Sequence, residues 1–177
     1  MCSGWSKAAS ELAIVALGSN LGDSVQIIEA AIERLADVSE GAILRASLWK
    51  STPVDCPPGS PDFVNTVVAL KPLRGETAEH FLEFLQALEK EFGRRPKQVL
   101  NESRPLDLDL ISFRSEILNT PRLILPHPRA HLRRFVLQPL AEILPEEKLP
   151  GQKKKNSELL EDLNSPEVVT KLERRAV

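Results

Sequence analysis

Residues 106–110 read Leu-Asp-Leu-Asp-Leu, and this strict alternation commits the segment to a strand with two unlike faces. Side chains two apart on an extended chain point the same way, with Cα atoms roughly 6.5–7 Å apart. Leu106, Leu108 and Leu110 therefore enter a core from one face, while Asp107 and Asp109 emerge side by side on the other. The strand reads on to Phe113 before a turn near Arg114–Glu116.

Two carboxylates so close repel unless a cation neutralises them, because like charges raise one another's pKa. Hard oxygen ligands suit Mg²⁺, which takes one or two carboxylates and completes its shell with water and substrate phosphate. A half-buried edge strand with a polar outer face would show the same alternation. Arg94, Arg95, Lys97 and Arg104 all precede the aspartates in a polar segment, 94–104, that is long for a simple connection. Guanidinium groups fork onto phosphate oxygens while carboxylates hold the metal bridging them, as a nucleoside triphosphate site requires. Surface ion pairing, which contributes little, is the alternative.

The rest of the chain alternates strands and helices without a strict βαβ rhythm. Leu12–Leu17 is an apolar run ended by Gly18-Ser19-Asn20 and predicts a buried strand. Asp23 or Ser24 caps a helix carrying Val25, Ile28, Ile32 and Leu35 at steps of three and four. Residues 43–49 predict a strand closed by Ser51-Thr52-Pro53, and 55–61, with three prolines and a glycine, predict a loop. A strand over 62–71 follows, then a helix capped by Thr77 with the stripe Phe81, Phe84, Leu85, Leu88 and Phe92, ended by Gly93. Leu123–Leu125 predicts a short strand, and Arg129–Leu144 a partial helix limited by Pro139. The lysine-rich stretch 152–156 predicts a solvated loop. This pattern predicts an α+β domain over 11–163, helices packed over one largely antiparallel sheet, between a disordered leader (1–10) and a C-terminal tail (164–177).

Composition narrows the function classes. The net charge of −2 supplies no global field for nucleic acid or an anionic membrane, so a polyanion needs the local arginines. Two cysteines, Cys2 and Cys56, make neither a disulfide framework nor a zinc motif, which fits a reducing cytoplasm. No apolar stretch approaches a membrane span. Gly18-Ser-Asn-Leu-Gly22 lacks the Lys-Ser/Thr of a Walker A loop and does not match GxGxxG.

Three further groups offer chemistry. Pro126-His-Pro-Arg129 through Arg133-Arg-Phe135 presents imidazole and guanidinium groups together before a helix start, with His127 among three arginines suited to a phosphate. Phe63 and Asn65 share one strand face, offering a ring to stack on and an amide to read a heterocycle edge, or else core packing and a strand end. Gln86 and Glu89 lie one helical turn apart, facing a ligand or water.

Read together, these segments resemble the 6-hydroxymethyl-7,8-dihydropterin pyrophosphokinases of folate biosynthesis. The resemblance rests on Ala16–Gly22, Ser51–Pro53, Asp62–Asn65, Glu89 to Gly93-Arg94, Arg104–Asp109, and Pro126–Arg129 through Arg133–Leu140, in family order from about residue 12 to 163. It implies a ferredoxin-like α+β fold and transfer of pyrophosphate from ATP to the pterin's hydroxymethyl oxygen, with AMP released. Asp107 and Asp109 would ligate two Mg²⁺ ions, and Arg94 and Arg104 would join them as catalytic residues. Gln86, Glu89, Arg94, Arg104, Arg122, His127 and Arg133 would hold ATP. Thr52, Pro53, Phe63, Asn65 and Phe135 would line the pterin pocket, with Asn20 in a mobile loop beside it. A monomer or weak dimer without nucleic-acid or membrane partners is expected.

Two positions depart from the family pattern. Pro96 stands where many members have a second arginine, and Asn101 where many have a tryptophan that closes over the pterin. Arg95 and Lys97 are the nearby charges that could replace the arginine. A non-catalytic ligand-binding relative is one rival reading. An RNA-binding module is another, disfavoured by the paired aspartates and the lack of tyrosine and RRM-type motifs.

Overall fold

A computed structural model describes residues 9–173. Most of the expected leader, with Cys2, lies outside the described residues, and Ala9–Glu11 form a single 3₁₀ turn. Strand β1 (Ala13–Ser19) is buried along its whole length, as its unbroken apolar run requires. Asp23 caps α1 (Ser24–Ala36) by accepting a bond from the Gln26 amide, and Ile28, Ala31, Ile32 and Leu35 face the core. Val25, expected on that stripe, is exposed instead, in the first turn of the helix.

The strand expected over 43–49 is two short pieces, β2 (Leu44–Arg45) and β3 (Trp49–Ser51), both pairing with β4 (Phe63–Leu70). Thr77 caps α2 (Ala78–Glu91), and Gly93, at φ 96°, turns the chain out of it. Strand β5 (Asp107–Phe113) follows. A small hairpin, β6 (Leu118–Asn119) with β7 (Ile124–Leu125), adds a strand the sequence did not announce. Helix α3 (Arg134–Ile143) lies within the partial helix expected over 129–144 and runs through Pro139, the residue expected to limit it. Burial of Val136, Leu137 and Leu140 against the sheet outweighs the one lost amide bond. Helix α4 (Asn156–Asp162) and strand β8 (Val169–Lys171) are the last elements among the described residues.

The main sheet runs β5-β1-β4-β3-β8, and all of its pairings are antiparallel. Reduced to β1-α1-β3-β4-α2-β5, this is the ferredoxin-like arrangement. Helices α1 and α2 cover one face over Val15, Leu17, Leu108 and Phe113. Helices α3 and α4 cover part of the other, over Ile14, Ala16, Val67 and Ile111. On that second face Glu142 of α3 accepts bonds from the Ser47 amide and hydroxyl and from Trp49 Nε1, which ties α3 to the β3 edge.

Candidate active site

The register of three central strands assembles the site. Gly18 of β1 lies between Asn65 of β4 and Asp107 of β5, and Ala16 lies opposite Asp109. The leucines of β5 are buried in the α1–α2 core, so both aspartates face the α3 side, as the alternation requires. They stand at the end of the sheet where the 18–23, 53–62 and 94–105 loops meet the start of α3.

Asp107 accepts a hydrogen bond from Arg94 at 2.9 Å and lies 3.8 Å from Arg104 Nε. That Nε is buried and makes no hydrogen bond, a donor left over in a cationic pocket. Asp109 pairs with Arg133 at 3.7 Å, and Arg104 adds a weaker attraction. Burial first, then repulsion from Asp107, pushes the Asp109 pKa up to about 6, and Arg133 only partly offsets this. A carboxylate so raised marks negative charge that the protein's own cations do not neutralise. Among the described residues no three His, Cys, Asp or Glu side chains converge as a metal cage. Two hard-oxygen donors with an unmet charge nevertheless fit Mg²⁺, which would draw its remaining ligands from water and phosphate.

Glu89 joins this group from α2 and is buried, at 8% exposure. Its carboxylate accepts from the Leu108 amide at 2.7 Å and pairs with Arg94 at 2.6 Å. Burial raises its pKa, and the Leu108 amide and Arg94 work against that rise. Arg94 is charged in spite of its own burial because Glu89 and Asp107 flank it. His127 is pushed toward the neutral form by burial and by Arg133 and Arg129. Its ring Nδ1 accepts from the Arg129 amide at 3.1 Å. Next to this group lies a cleft of about 520 Å³ lined by Arg94, Arg95, Lys97, Ser103 and Arg104 among others.

A second, less polar compartment adjoins the aspartates. Asn65 is 4% exposed, and its side-chain amide donates to Ser51 Oγ at 2.6 Å. A Cβ on Gly18 would lie 3.1 Å from Asn65 Oδ1 and 3.8 Å from the Phe63 ring, so glycine lets amide and ring pack close against β1. Phe135 opens α3 with the Arg133 guanidinium 5.5 Å from its ring centre. Asn20, also 4% exposed, knots three loops together. Its Oδ1 accepts from the Arg104 amide, and its Nδ2 donates to the Pro61 carbonyl and Ser103 Oγ. Thr52 is held by Val168 through two bonds, and Pro53 is half-buried beside it.

Not every expected residue joins the cluster. Arg122 is exposed and paired with Glu83 of α2 at 2.6 Å, and Gln86 lies exposed one turn further along that helix. Neither Ser51 nor Ser103 was expected as a site residue from sequence. Ser51 is 14 residues from Asn65 and Ser103 is 83 from Asn20, and no local pattern signals such pairs.

Residues 14–145 match the family of 7,8-dihydro-6-hydroxymethylpterin-pyrophosphokinases. The chain belongs to this family. A 2-amino-4-hydroxy-6-hydroxymethyldihydropteridine pyrophosphokinase from a Synechocystis species is 36% identical over 152 residues, covering 86% of this chain and 76% of the relative. One from Haemophilus influenzae is also 36% identical, covering 85% of this chain and 89% of the relative. A crystal structure of an HPPK-DHPS protein in complex with substrates superposes with a TM-score of 0.64 at 12% identity. It covers 85% of this chain, which spans 42% of that longer one, and the likeness is one of fold.

Proposed function

We propose that this chain transfers the pyrophosphoryl group of ATP to the hydroxymethyl oxygen of 6-hydroxymethyl-7,8-dihydropterin, releasing AMP, as a step of folate biosynthesis. Family membership supports the reaction. The observation that carries the site is the meeting of Asp107, Asp109, Arg94, Arg104, Arg133 and His127 beside Gly18, Phe63 and Asn65.

Asp107 and Asp109 would hold Mg²⁺, two ions in this reading, which when bound neutralises phosphate charge and draws the triphosphate into line. Arg94, Arg104 and Arg133 grip the phosphate oxygens and stabilise charge growing on them. His127, kept neutral, bonds to them without adding charge. Glu89 holds Arg94 in place, and Gln86 and Arg122 contact the nucleoside end. Phe63 and Phe135 enclose the pterin ring, Asn65 reads its edge, and Thr52, Pro53 and Asn20 close the pocket. The hydroxymethyl oxygen attacks the β-phosphorus as the bond to the α-phosphate oxygen breaks, and AMP leaves with that oxygen. Transfers of this kind pass through a loose transition state, so positioning and charge neutralisation supply most of the catalysis. The hydroxyl proton passes to water in this reading, since no side chain of the site stands out as a general base. We also place the chain in the cytoplasm, as a monomer or weak dimer, in keeping with the free Cys56 thiol.

The test is AMP release from ATP plus hydroxymethyl-dihydropterin and Mg²⁺. Pterin-dependent AMP supports the reading. Tight binding of both ligands without AMP would instead favour a non-catalytic relative.

A further inference from the structure

We propose that Asn101 is a positioning residue of the loops over the site. Its side-chain amide tethers the 95–102 segment to the 54–60 segment, so that the two open and close as one lid. The Asn101 Nδ2 donates to the Asp55 backbone carbonyl at 2.8 Å. A carbonyl oxygen only accepts, so the donor end of the amide must face Asp55. Both residues sit in left-handed backbone, Asn101 at φ 55° and Asp55 at φ 53°. Asparagine and aspartate tolerate that conformation better than other residues with a side chain. Of the two, only asparagine also carries an N–H donor.

The bond matters because so little else holds the two segments. The 95–102 segment is pinned before its start by Arg94, whose amide donates to the Glu89 carbonyl and whose guanidinium pairs with Glu89 and Asp107. Beyond its end, Asn20 holds Ser103 and Arg104. Between these pins its one other hydrogen bond among the described residues is internal, from the Gln98 amide to Glu102. The 54–60 segment is equally self-contained: Cys56 donates to the Val54 carbonyl, and Ser60 to that of Pro57. Val54, Val99 and Leu100 are exposed, so burial adds little to either segment. Among the described residues, the Asn101–Asp55 bond is thus the single hydrogen bond that joins these segments to each other or to the rest of the fold. Arg95 and Lys97 line the phosphate cleft from the tethered segment, so the tether also decides where those charges stand.

Lid opening is read without substrate, by backbone hydrogen exchange in wild type, Asn101→Gly, Asn101→Asp and Asp55→Asn. Glycine keeps the left-handed backbone without the donor, and aspartate does so without added chain flexibility. In both variants the amides of 95–102 and of 54–60 should exchange about three- to tenfold faster, the worth of one exposed hydrogen bond, while those of β1 and β5 stay unchanged. Asp55→Asn should match wild type, because the acceptor is a backbone carbonyl and asparagine tolerates the same φ. The kinetic half of the test rests on the proposed reaction. There, the pterin and a non-cleavable ATP analogue should leave their ternary complex faster by a common factor, with single-turnover transfer from ATP within about twofold of wild type. Unchanged exchange in both Asn101 variants, faster exchange in 95–102 alone, or wild-type behaviour of Asn101→Asp would each overturn the tether. Faster release of one ligand only would overturn the single lid. Wild-type protein that neither binds nor converts the pterin would overturn the functional reading, and the exchange data would still decide the tether.

Discussion

Asp109 lies between influences of opposite sign, and its pKa of about 6 records which prevails without metal. The folded state holds its proton more tightly than the unfolded chain, whose carboxyl titrates near 3.8. Between those values the native state binds more protons, so its stability falls as pH rises through that window. Discounted for a side chain 30% exposed, the cost of ionised Asp109 above pH 6 is about 1–2 kcal/mol. Urea unfolding of the metal-free protein at pH 5 and 7.5 should show this slope, and Asp109→Asn should remove it. Added Mg²⁺ should raise Tm at pH 7.5 and much less at pH 5, where the proton competes for the same oxygen. Asp107→Ala or Asp109→Ala should each lower pyrophosphoryl transfer by about a hundredfold or more while leaving the circular dichroism spectrum unchanged. Retained activity in either variant would refute the metal assignment.

At the scale of elements, the site depends on how α2 is fastened to β5. Glu89 spans the two by accepting from the Leu108 amide while holding Arg94. Glu89→Ala leaves a buried amide unpaired and loosens Arg94, and denaturant melts should show a loss of about 2–4 kcal/mol. Glu89→Gln keeps an acceptor for the amide, so it should lose less stability than Glu89→Ala while still slowing turnover. Gly18→Ala tests the opposite side of the sheet end. Its Cβ would crowd Asn65 Oδ1, so pterin KM should rise about tenfold with a Tm change of only a few degrees. The alternation of 106–110 showed from sequence which way the aspartates face. It did not show that Glu89 of α2 holds Arg94, the cation paired with Asp107, because Glu89 on its own reads as one more charged helix position.

Across the whole molecule, the chain's last described segment braces the site from behind. Strand β8 pairs with β3, Glu167 accepts from the Phe135 amide, and Val168 holds Thr52. A chain ending at Asn164 should lose these bonds and expose the β3 edge. Thermal unfolding should then register a loss of about 2–3 kcal/mol, and pterin KM should rise more than ATP KM, because Thr52 and Phe135 are freed together. Nothing in 164–173 announces a strand: Val168, Val169 and Thr170 are too few to form a period, and their strand exists because β3 offers an unpaired edge.

By itself the sequence determined what periodicity and caps encode: β1, α1, β4, α2 and β5, the buried leucines of β5 and the two aspartates opposite them. Those features are local, written within one or two turns or strand repeats. Tertiary structure alone decided the rest. It placed Gly18 between Asn65 and Asp107, put Ser51 on the Asn65 amide, tied Asn20 to loops more than 40 and 80 residues away, and kept Pro139 inside a helix. Each of these depends on strand register or on burial against a distant element. Such energies arise only when the sheet closes, so no short stretch of sequence carries them.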